Sequence, residues 1–254
     1  MDRGPGEDWL IHRNEARNAR LRALADSIND TARMARNTLT AALVVALYLG
    51  VTLLSSSDLN LFLNGQVVLP QVGTGVSVVQ SYIFAPPVFL FLHVQALLLL
   101  NTLARKVRVF DAALSSDVPA EERSLYKEWL SGFGFVQVVR SNSAFSPSRV
   151  VFWLSACVLP PLLLFLIDLS FVRYQSYEIT AFHHLWVILS LVSVWRFNRS
   201  VFGTDYSVVT RRGRWFMRSV QAAAVLMVAL LLTQAWPPSY DNNRSAWGQR
   251  AAIH

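Results

Sequence analysis

The chain has a single cysteine, Cys157, which excludes an intramolecular disulfide framework and any all-cysteine metal site within one chain. It lies inside an apolar run, so packing is its expected role. Charge is scarce too. Only 15% of the residues are Asp, Glu, Lys or Arg, against about 25% in a soluble domain. Together with a hydrophobic share of 53%, that deficit points to lipid. Catalytic signatures are missing: there is no His-Glu-x-x-His, no Gly-x-Ser-x-Gly and no Walker loop. Gly132 and Gly134 have no strand before them and no lysine after them, so they are not a phosphate loop. No serine stands in a nucleophile setting, and no apolar run carries an intramembrane-protease motif. The expectation is a protein that is not an enzyme, with no cofactor and no metal.

The net charge of +7 could suggest nucleic acid as a partner, but the cations gather beside apolar runs rather than on one recognition element. From Ile83 to Leu103 there is no charged residue at all, which is about the length needed to cross a hydrocarbon core of ~30 Å. Pro86 and Pro87 are expected near the first turn of this helix, where a missing N–H costs least. Arg105, Lys106 and Arg108 close it. Four further runs resemble spans, so the fold class expected is an all-α membrane protein with about five transmembrane helices, at about 38–56, 83–103, 150–169, 179–197 and 215–236.

The connections carry their own signals. Residues 1–37 hold seven arginines and six acids, and Trp9, Leu10, Leu21, Leu24 and Ile28 allow a broken amphipathic helix from Glu7 to Arg36. This polar lead is too long for a typical signal peptide. Between Ser55 and Ser81 there is no Lys or Arg. Asn64-Gly65 is a hairpin-type turn signal, and valines from Val67 to Val79 favour extended structure, so a small extracytoplasmic β-hairpin or extended loop is expected there. A cytoplasmic helical loop follows the second run, with Asp117 as N-cap, Pro119 just inside, and Leu125, Trp129 and Leu130 as an apolar stripe. Phe133, Phe135, Val136, Val138 and Val139 could dip into the membrane interface, and Ser141 to Ser148 reads as a linker. The third run is kinkable at Pro160-Pro161.

The succession TLLSSSDLNLFLNGQVVLPQVGTGVSVVQSYIFAPPVFLFLHVQALLLLNTLARKVRVFDAAL resembles the N-terminal membrane region of bacterial pentapeptide-repeat membrane proteins and related polytopic proteins. Leu63, Val68 to Pro70, Phe84 to Pro86, Leu92-His93, Leu97 to Leu100 and Phe110-Asp111 carry the resemblance, which is strongest over residues 50–114. It implies a bacterial inner-membrane location and brings no activity, cofactor or site residue with it. No pentapeptide repeat is present, and the chain stops just after the last run, where such proteins tend to continue. A stand-alone module and a truncated one both fit.

The residues that could hold chemistry are few: His93, Gln95 and Asn101 in the second run, and Asp168, Glu178, His183 and His184 around the third-to-fourth connection. Polar groups in a membrane usually face the bundle interior. His93 could be a proton relay or a haem or metal ligand; the plainer and preferred reading is an interhelical hydrogen bond, worth about 1–2 kcal/mol at most. Two carboxylates and two imidazoles could bind a divalent transition metal. Adjacent His183 and His184, however, point about 100° apart on a helix, which disfavours a shared ion. At the membrane interface such residues need no ligand.

Two functions fit these features. One is a non-enzymatic membrane anchor, scaffold or signalling module; the other is a pore-forming or channel-like effector acting as an oligomer. A channel would want a polar stripe down several helices, and a transporter would want repeated halves, into which five spans do not divide. The expected partners are the lipid bilayer and anionic headgroups beside the basic loops, with a homo-oligomer or a protein partner left open. Of the 23 Lys and Arg residues, 20 fall in the N-terminal segment and in the loops 105–149 and 196–218. Cationic loops stay in the cytoplasm, so the N-terminus is expected inside and the 237–254 tail outside.

Overall fold

The computed structural model describes residues 5–55, 66–68, 75–130, 132–140, 147–172 and 177–202. They belong to one compact unit, Met1–Phe216; the second unit, Met217–His254, with the expected fifth span and the tail, lies outside the described residues. In chain order the elements are α1 (Pro5–Ser55), β1 (Gln66–Val68), β2 (Gly75–Ser77), α2 (Val78–Asp117), α3 (Arg123–Lys127) and α4 (Gly134–Arg140). Then come α5 (Pro147–Trp153), a π-helical turn (Leu154–Val158), α6 (Leu159–Val172) and α7 (Tyr177–Phe202). Three helical stretches are long and apolar enough to cross a membrane: His12–Leu53, Ile83–Asp117 and Arg149–Ser170.

The expected broken helix followed by a separate first span is one unbroken 51-residue helix. No proline or glycine interrupts residues 7–49, so nothing in the backbone stops it. Its buried side is a narrow seam: Leu21, Ala25, Ile28, Ala32, Ala35, Ala42, Ala46 and Leu49, with half-buried Leu39 filling the one missing step. That alternation of three and four residues is the repeat of a two-helix seam, and it runs straight through the boundary between the Arg-rich and the apolar halves. The small alanines let the partner backbone approach closely.

The partner is α2, which lies antiparallel to α1. Lys106 meets Ser27 and Thr31, while Asp117 meets Arg17 and Arg20. On α2 every seventh residue from Pro86 through His93, Leu100, Val107 and Leu114 is buried. Because α2 begins at Val78, Pro86 and Pro87 stand inside the helix rather than in its first turn. In lipid the alternative to a helix is unsatisfied backbone, so an internal proline is tolerated there. Val78 and Val79 are accordingly the start of α2, not strand.

Extended structure among the described residues is confined to β1 and β2, paired antiparallel as Gln66↔Ser77, Val67↔Val76 and Val68↔Gly75. Asn64-Gly65, the expected turn, and the connecting residues 69–74 lie outside the described residues.

Asp117 ends α2 rather than opening a new helix. Pro119 has no N–H to offer the Ser115 carbonyl four residues back, and Arg123 donates to it instead at 2.8 Å and to the Val118 carbonyl at 2.9 Å. The short α3 packs on α1: the Tyr126 hydroxyl donates to Asn18 at 2.7 Å, Asn29 donates to the Trp129 carbonyl at 2.9 Å, and Arg22 lies over the Trp129 ring. Leu125 faces outward, not into an apolar stripe. Phe135, Val136 and Val138 are buried in protein rather than dipped into an interface, with Phe135 against Phe152 at 4.6 Å. Pro147 and Ser148, expected as linker, are already helical.

The α5–π–α6 rod returns beside α7, and both pack on α2. Pairs between α2 and α7 advance together along both chains, from His93 with Ser190 to Asn101 with Ser200, so these two helices run parallel at a common height. Large apolar side chains face outward on each rod, as at Leu47, Phe84, Phe91, Val151, Leu166 and Val192.

Candidate functional site

Two stations of buried polar groups bring together residues from different helices around His93 and Asp168, and proline chemistry explains the first. In an α-helix the Ala156 carbonyl would accept from residue 160, and in a π turn from residue 161; both are proline and neither has an N–H. The Leu159 N–H is already spent on the Leu154 carbonyl. Ala156 therefore presents an acceptor that its own helix does not satisfy. His93 supplies the donor from α2: its Nε2 lies 2.9 Å from the Ala156 carbonyl oxygen. A carbonyl only accepts, so Nε2 carries the hydrogen and Nδ1 is left as acceptor. The Ser190 hydroxyl of α7 donates to that Nδ1 at 3.4 Å. Ser190 is 0% exposed and His93 1%. One imidazole thus ties three rods together at a single height, with both ring nitrogens committed. This arrangement is the interhelical hydrogen bonding expected of His93.

The second station lies 12 residues further along the third rod, about 18 Å away at the helical rise. Asp168 is 0% exposed, and its Oδ1 lies 3.5 Å from His184 Nδ1. His183 is also buried. Asp168 is thus a carboxyl enclosed by protein. Glu178 is helical, and its side chain lies outside those described. Among the described residues, no three His, Cys, Asp or Glu side chains are grouped to hold a metal ion.

The remaining sequence candidates separate. Asn101 is half-buried and its side-chain oxygen accepts from the Ser200 hydroxyl at 2.8 Å. Gln95 faces outward on α2, away from both stations, against the expectation that it would turn inward. Sequence reading missed the roles of two residues, Ser190 on α7 and Lys106 on α2. Ser190 is one serine among many and gains meaning only from His93. Lys106 looked like part of a basic stop, yet its ammonium donates to the Ser27 hydroxyl at 2.7 Å, the Thr31 hydroxyl at 2.8 Å and the Ser27 carbonyl at 3.2 Å. All three of its hydrogens are used inside the seam. Their spacing could have been found by extending the three-and-four repeat of α1 across from α2.

At the same Arg-rich end, Arg108 donates to the Val201 carbonyl, closing the end of α7 onto α2, and Arg140 pairs with Asp111 at 3.4 Å. No family model, no curated protein and no solved structure matches this chain.

Proposed function

We propose that this chain is a non-enzymatic, multi-pass membrane anchor or scaffold that carries a helical stalk into the cytoplasm. The observation behind this reading is length. At the helical rise, 51 residues of α1 extend about 77 Å and 40 residues of α2 about 60 Å, whereas the hydrocarbon core is about 30 Å thick. Both helices outrun the bilayer at the same Arg-rich end, where α3 and α4 dock on them. The stalk is one piece with the spans, so a load or a rotation applied to it reaches the bundle through a continuous seam.

The distribution of cations favours that end as cytoplasmic and the β1–β2 pair as extracytoplasmic. The fourth span of the proposal is α7, which runs parallel to α2 at the height of the apolar belt and turns Leu185, Ile188 and Val192 outward. Residues 215–236 make the fifth, which leaves the tail outside. The resemblance over residues 50–114 accords with a bacterial inner-membrane setting. Arg33, Arg36 and Arg105 stand exposed where anionic headgroups would meet the stalk. A homo-oligomer or a protein docked on the stalk would complete the scaffold. Reconstitution into proteoliposomes tests this reading: the scaffold predicts a bilayer that stays ion-tight at any protein density. Steady ion flux that rises with protein would overturn it in favour of the pore.

A further inference from the structure

We propose that Asp168 and His184, with His183 beside them, form a proton-binding site between α6 and α7. The Asp168 side chain is fully enclosed, and neither of its carboxyl oxygens receives a hydrogen bond. An ionised carboxylate enclosed in this way carries a desolvation cost of several kcal/mol by general experience with buried ions. A proton held between the carboxyl and the imidazole at 3.5 Å removes that cost in either arrangement. The pair is neutral as an acid beside a neutral ring, and neutral as a carboxylate beside an imidazolium. Losing the proton leaves an enclosed carboxylate that receives no hydrogen bond; gaining a second leaves a net positive charge between the two helices. The site therefore takes one proton as its ligand.

The groups that act on Asp168 are His184 and His183, both from α7. Arg173 and Tyr174, in the connection between α6 and α7, lie outside the described residues. The parts of α1 and α2 that pack against this rod, residues 37–55 and 78–103, contain no charged residue; their titratable groups are Tyr48, Tyr82 and His93, and His93 is committed to Ala156 and Ser190. On the rod itself the other titratable groups are Cys157, eleven residues away, and Arg149 near its start. Glu178, with its side chain outside those described, is the remaining acid near the start of α7. An ionisable pair buried between spanning helices is the usual form of a proton-linked element in a membrane. Here it joins α6 to α7 at the end away from the stalk, so its occupancy sets how firmly those two helices hold together.

The test is a side-chain titration by NMR of full-length protein, labelled at His and Asp and held in lipid nanodiscs. In the wild type, the Asp168 carboxyl carbon and the His184 ring nitrogens should respond together, with shared midpoints. Asp168→Asn, which keeps the shape, should lower the proton affinity of His184 at least tenfold and leave the His93 ring signals in place. Independent titration of Asp168 and His184 in the wild type would overturn the proposal, whether or not the variant folds. So would an unchanged His184 titration in Asp168→Asn.

Discussion

His93→Leu removes the donor that reaches the Ala156 carbonyl, and the rings of Pro160 and Pro161 prevent the helix from replacing it. The cost can be bounded from both sides. Interhelical side-chain hydrogen bonds in membrane proteins average about 0.6 kcal/mol and reach about 1.7. Leaving a buried acceptor unpaired costs about 1–3 kcal/mol. Ser190 also loses its partner, but its hydroxyl can turn to the carbonyl four residues back on its own helix. The carbonyl has no such choice. The expected destabilisation is therefore about 1–2 kcal/mol, nearly all of it owed to Ala156. That attribution has a sharp consequence. Pro160→Ala returns a backbone N–H to the position four residues after Ala156, so the acceptor is satisfied within its own helix. In that background His93→Leu should cost less than about 0.5 kcal/mol, a coupling of about 1 kcal/mol in a double-mutant cycle. Reversible unfolding in mixed micelles, or steric trapping in bicelles, measures all four corners. An equal cost for His93→Leu in both backgrounds would refute the proline account of this contact.

The remaining predictions concern the α1–α2 seam. Ala35 is fully buried in it, so Ala35→Leu should overpack the contact and lower stability by about 1–3 kcal/mol in the same unfolding assay. Lys106→Met keeps the stem but strips three hydrogen bonds from Ser27 and Thr31; a loss of about 1–2 kcal/mol is expected, within the range for bonds to charged groups at a partly exposed site. Gly50 sits in α1 with open space where a Cβ would stand, so Gly50→Ala should stabilise the helix by up to about 1 kcal/mol. A destabilising Gly50→Ala would mean that another helix approaches there.

Sequence reading reached the apolar runs because lipid imposes a simple rule: long uncharged stretches with cations at one end. The third rod and α7 were found in that way as helices almost to their ends, though α7 is not among the three stretches long and apolar enough to cross a membrane. It did not reach the union of the N-terminal segment with the first span. Charged residues at Arg33 and Arg36 suggested a break, but they lie on the outer face while Ala32 and Ala35 continue the seam. Composition averages over faces, and only the three-and-four spacing of the small residues separates them. The region after Asp117 was misread for a related reason. An acid followed by a proline two residues later is a good helix start, yet Arg17 and Arg20 hold Asp117 at the end of α2 from a distance of about a hundred residues in sequence. At the polar stations, the residue types were visible and the partners were not. Counting the donors that Pro160 and Pro161 lack would have marked Ala156 as an acceptor in need, but nothing local could name His93 as the group that answers it. Asp168 and His184 come together only because the rods fold back on each other.

The most direct test of the account asks on which side of the membrane each end of these rods lies. Single cysteines placed at Ser116, Arg199 and Gln175, in a Cys157→Ser background, can be labelled with an impermeant maleimide in sealed vesicles of either orientation. The account predicts that Ser116→Cys and Arg199→Cys react only from the cytoplasmic side, and Gln175→Cys only from the opposite side. Labelling of Gln175→Cys from the same side as Ser116→Cys would show that the third rod and α7 do not cross the bilayer, and would contradict the shared height of α2 and α7 on which the proposal stands.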